Sequence, residues 1–66
     1  MGVEERYRLS LTIDGLQVQT GWWETEAVAR RKFIAWVGSY GSLPGTRVVL
    51  VDDETGETLT AWPDET

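Results

Sequence analysis

The sequence predicts an α+β domain spanning residues 1–66, built in the order ββαββ as a four-stranded, mainly antiparallel sheet with one helix packed on one face. Three observations predict it. Apolar and polar side chains alternate on either side of Asp14-Gly15. Apolar residues then recur at helical spacing between Glu26 and Tyr40. Finally, two runs rich in β-branched residues flank Asp53-Glu54-Thr55-Gly56.

The first strand, about 5–13, sets Tyr7, Leu9, Leu11 and Ile13 against Arg6, Arg8, Ser10 and Thr12, the period-two pattern of a half-buried strand. Asp14-Gly15 supplies the two positive-φ positions of a type I′ hairpin turn. A two-residue turn pairs Ile13 with Leu16, Leu11 with Val18, Leu9 with Thr20 and Tyr7 with Trp22, so the second strand, about 16–23, offers its even positions to the core. In that register Leu9, Leu11 and Val18 lie under Phe33 and Val37, while Trp23 shares the opposite face with Arg6, Arg8, Gln17 and Gln19. The adjacent Trp22 and Trp23 cannot face the same way, so one sits outside the core or the strand ends or bulges between them.

The helix is expected at about 25–40, with Thr25 as N-cap and Glu26 in the first turn. Ala29, Phe33, Trp36, Val37 and Tyr40 form one stripe, with Arg31 and Lys32 away from it. Gly38 or Gly41 ends the helix, and residues 41–45 form a loop. The third strand, about 46–52, and the fourth, about 57–62, form a second hairpin, with Gly56 as a left-handed bulge residue and 63–66 as a polar tail. A helix between strands two and three makes those two run in the same direction. Strand order 2-1-3-4 satisfies this with antiparallel pairs throughout, and order 1-2-3-4 with a parallel central pair is the alternative.

Charge is unevenly distributed within a net −5. Residues 1–47 hold all six basic residues against five acids, whereas residues 48–66 hold six acids and no base. Asp52, Asp53, Glu54, Glu57, Asp64 and Glu65 therefore form a candidate acidic surface, suited to a basic partner and unfavourable to nucleic acid or anionic membrane. The N-terminus has acids where a signal peptide has an apolar region, Arg6 breaks the myristoylation pattern, and no apolar run spans a bilayer, so the expected location is the cytoplasm.

Arg outnumbers Lys five to one and Asn is absent, choices that follow G+C-rich codons. With the segments TEAVARRKFIAWV and VVLVDDETGETL, the chain resembles short reading frames of high-GC actinobacteria, their phages and mobile elements. That resemblance implies no particular activity.

Catalysis finds little support in these residues. There is no His or Cys, so neither a Ser-His-Asp nor a Cys-His system can be assembled, and Lys32 lies on a solvated helix side. No catalytic, cofactor or metal residue is expected: Asp52 to Glu57 lacks the ligand spacing of an EF-hand, and Gly41 to Gly45 lacks the Lys of a phosphate loop. Arg6, Arg8 and Trp23 on the open sheet face give a nucleic-acid reading, opposed by the scarcity of cations.

The second hairpin is apolar on both faces, with Val49, Val51, Leu59 and Ala61 on one and Val48, Leu50 and Trp62 on the other. One helix covers only one face, and a 66-residue chain buries only about 60% of its unfolded surface. Val48, Leu50, Trp62 and Trp23 thus form a candidate interaction face, and the expected function is a non-catalytic protein-interaction module, a homodimer or the partner of another protein. An acidic inhibitor or nucleic-acid mimic is the second expectation.

Overall fold

Alternating side chains need a surface to cover on one side and water on the other, and the central strand of the sheet meets both. In the computed structural model, which describes residues 5–63, that strand is β1 (Tyr7–Ile13). It is followed by β2 (Leu16–Trp23), α1 (Glu26–Tyr40), β3 (Thr46–Asp52) and β4 (Glu57–Trp62). The sheet runs β2-β1-β3-β4 with every neighbouring pair antiparallel, the expected order.

The helix begins where its sequence signals it. Thr25 has an extended backbone, and its Oγ1 accepts the Val28 N–H at 3.3 Å. Glu26 in the first turn pairs with Arg30 one turn on, at 2.6 Å. At the other end the Gly41 N–H donates to the Val37 carbonyl at 2.8 Å. A Cβ on Gly41 would lie 3.1 Å from the Trp62 ring, so the bare backbone lets that indole close against the helix end.

Leu9, Leu11, Ala29, Val48 and Leu50 are fully buried between α1 and the sheet. Phe33, Trp36, Val37 and Tyr40 pack around them from the helix, as the stripe predicts. The Asp14-Gly15 turn takes φ of 54° and 84°, and Asp14 donates its N–H to the Gly45 carbonyl at 3.0 Å. Gly45 itself has φ of 80°, and a Cβ there would collide with the Asp14 carboxylate, so glycine is required on both counts.

Two register details differ from the sequence expectation. In the first hairpin Ile13 pairs with Leu16, but a bulge at Val18 then shifts the ladder by one residue. Leu11 meets Gln19, Leu9 meets Gly21, Arg8 meets Trp22 and Tyr7 meets Trp23. Val18 and Trp22, expected in the core, are 55% and 47% exposed, and Trp23 takes the core position instead. The physical reason lies in Gly21 and Trp36. Trp23 meets Trp36 edge-to-face at 6.1 Å and leans its ring over Gly21, where a Cβ would collide with it. A partly buried, edge-to-face indole pair outweighs burial of one valine.

In the second hairpin Gly56 does adopt the left-handed conformation, at φ of 79°. A shift between Leu50 and Val51 makes Leu59 the extra residue, and it packs toward the core rather than beside Val49 and Ala61. Val48, Leu50 and Trp62 face the helix, and Val49, Val51 and Ala61 lie on the open face, each partly buried among its neighbours.

Candidate functional site

The antiparallel register gathers the charged residues at one end of the sheet, because Tyr7 is paired to both Trp23 and Asp52. Arg6 grips Asp52 with a two-pronged contact, Nε to Oδ1 at 2.8 Å and Nη2 to Oδ2 at 2.7 Å. Its remaining amine reaches Glu54 Oε1 at 2.8 Å, and the guanidinium lies 5.2 Å from the Tyr7 ring centre. Asp52 is almost wholly buried, with 7% of its side chain exposed, and its Oδ1 also accepts the Glu54 N–H at 3.0 Å. The Arg6 hydrogen bonds hold the Asp52 carboxyl below the usual carboxylate range, against the opposing effect of burial, and the Glu54 amide adds to the lowering. The same contact holds the guanidinium above its usual value.

This closed network has a pH consequence. Asp52 has a depressed folded-state pKa, so its stabilisation is complete above the unfolded carboxyl value of about 3.9. It is lost as the pH falls from there through the lower folded value. Urea unfolding across acid pH is expected to show a falling midpoint in that window. Asp52→Asn should have a lower midpoint near neutrality and a flatter pH profile.

Beside the network, Arg8 Nε donates to Asp53 Oδ1 at 3.0 Å, and Trp22 Nε1 donates to Asp53 Oδ2 at 3.3 Å. Trp22 thereby stands at the edge of the open face with its indole N–H partnered. At the corner where β2 enters α1, a depression of about 280 Å³ is lined by Trp22, Trp23, Val28 and Thr25 and rimmed by Glu5 and Glu24. Sequence reasoning missed this corner because it turned Trp22 inward. The Trp22-Trp23-Glu24-Thr25 run, two indoles leading into a helix cap, was the available signal.

The candidate interaction face of Val48, Leu50, Trp62 and Trp23 is corrected by this arrangement. Val48 and Leu50 are fully buried beneath α1, Trp62 is partly buried against the helix end, and Trp23 packs on Trp36. Arg6, Arg8 and Trp23 do not share one face either, since Trp23 lies on the helix side and both guanidinium groups are ion-paired. Within the candidate acidic surface, Asp52 is buried and Asp53, Glu54 and Glu57 are exposed, the first two ion-paired. Asp64 and Glu65 lie outside the described residues. Among the described residues no group of three or more acidic side chains is placed to share a metal ion. No helix there is long and apolar enough to cross a membrane. No family model matches this chain, and neither does any curated protein or solved structure.

Proposed function

We propose that this chain is a non-catalytic protein-interaction module that acts as a homodimer, two copies joined along their β2 edges. The observation that carries the reading is the character of that edge. β2 has a neighbour on one side only, and its eight residues include no charge and no proline. Leu16 and Val18 on it are 72% and 55% exposed. Sheet edges are ordinarily protected by charged residues, proline or bulges, and β2 has the Val18 bulge alone. The opposite edge, β4, carries Glu57 and runs into Pro63.

Antiparallel pairing of two β2 strands across a two-fold axis sets Leu16 and Val18 of one copy beside the Thr20–Trp23 end of the other. It also places the two acidic sheet ends far apart, so the net charge of −5 per chain offers little resistance. The added layer of contacts suits a chain whose fully buried apolar side chains are five in number among the described residues. The open face supports pairing less well, because Arg8, Ser10, Thr12 and Thr58 lie beside Val49, Val51 and Ala61.

Sedimentation at micromolar concentrations tests this. The native chain should run at twice 7.4 kDa, and Val18→Lys, a change at an exposed position, should run at 7.4 kDa with its circular dichroism unchanged. A native chain that stays at 7.4 kDa throughout the range would sink the homodimer.

A further inference from the structure

We propose that the depression at the β2–α1 corner takes a cationic side chain, a lysine or arginine presented by a basic segment of a protein partner. The site is defined by two kinds of group that together select a cation. Trp22 and Trp23 line it, and indole rings attract a cation placed over their faces. Glu5 and Glu24 stand on its rim, both exposed, and among the described residues neither is ion-paired. Val28, at 36% exposure, completes an apolar wall for the methylene stem of such a side chain.

The surrounding field has the same sign. The sheet register brings Glu5, Glu24, Asp52, Asp53 and Glu54 to one end against Arg6 and Arg8. Both arginines are occupied by Asp52, Asp53 and Glu54, which leaves Glu5 and Glu24 as the carboxylates at this end without an ion pair among the described residues. The helix N-terminus nearby would by itself favour an anion. There, however, Thr25 already accepts the Val28 N–H, and Glu26 occupies the first turn. The Trp22 N–H is engaged by Asp53, which holds that indole at the edge of the open face. An uncharged apolar side chain would use the rings and Val28 but leave the two carboxylates unanswered.

The proposal does not depend on self-association, since the depression belongs to one copy. The test is a titration of the full chain with a hexa-arginine peptide, followed by the indole N–H resonances of Trp22 and Trp23. A hexa-citrulline peptide serves as the uncharged isostere. The arginine peptide should shift both indole signals and the citrulline peptide should not. Joint replacement Glu5→Gln and Glu24→Gln should weaken binding about tenfold with the amide spectrum otherwise unchanged. Glu57→Gln, at the opposite sheet edge, should change it little. Equal weakening by Glu57→Gln would mean diffuse attraction to an acidic protein and would overturn the site, as would shifts that bypass both tryptophans. Binding retained by Val18→Lys separates this site from dimer formation.

Discussion

Leu50→Ala is expected to remove about 2–5 kcal/mol of folding stability, the cost of deleting a fully buried leucine and leaving a cavity. The residue lies in the middle of β3, paired with Leu9 on one side and Thr60 on the other, with α1 above it. Its neighbours are held by two ladders and a helix, so the space left behind cannot close easily. At typical stabilities per residue, a chain of 66 residues is worth about 3–10 kcal/mol in total. The variant is therefore expected to be partly unfolded at ambient temperature. Leu11→Ala, at an equally buried position of β1, should behave alike. Urea denaturation reads the effect directly, and a loss below about 1 kcal/mol would show that Leu50 is not a core residue.

The two adjacent tryptophans should separate sharply. Trp23→Ala is expected to cost about 3 kcal/mol, the lower part of the range for a large aromatic, because its ring is partly buried. It would lose its edge-to-face contact with Trp36 and uncover Gly21. Trp22→Ala, at 47% exposure with one long hydrogen bond to Asp53, should cost less than about 1 kcal/mol. The reverse ranking in paired denaturation curves would restore the unbulged register and place Trp22 in the core.

The contrast marks where the sequence was legible. Period two in β1, the Asp14-Gly15 turn, the Thr25 cap and the Ala29–Tyr40 stripe each follow from local chemistry, and all stand in the structure. The helix lying between two hairpins left two strand orders open, and the structure has the one whose neighbours are antiparallel throughout. What local chemistry did not contain was the bulge at Val18. That bulge is set by a long-range preference, the burial of Trp23 against Trp36, and it inverts the face of every residue beyond it. Leu59 is a second case, an extra residue that packs against the core cluster. Charge showed similar limits. The run of acids at 52–57 was visible, but Asp52 and Arg6 stand 46 positions apart and meet only once β1 and β3 pair. The corner at Trp22 could not be placed until the bulge had turned that residue outward.

The central pairing of β1 with β3 also sets the tempo of folding. Ile13 meets Thr46 and Tyr7 meets Asp52 across separations of 33 and 45 residues, whereas each hairpin joins neighbours through a short turn. Hairpins and isolated helices form within microseconds. The central seam must wait until the chain has looped around the helix and brought the two halves face to face. Leu9 and Leu50 lie on that seam, so changes there act on the rate at which the chain folds. Trp23, on the outer strand, is attached to a hairpin that can form before or after the halves meet, and its loss acts chiefly on how fast the finished molecule opens.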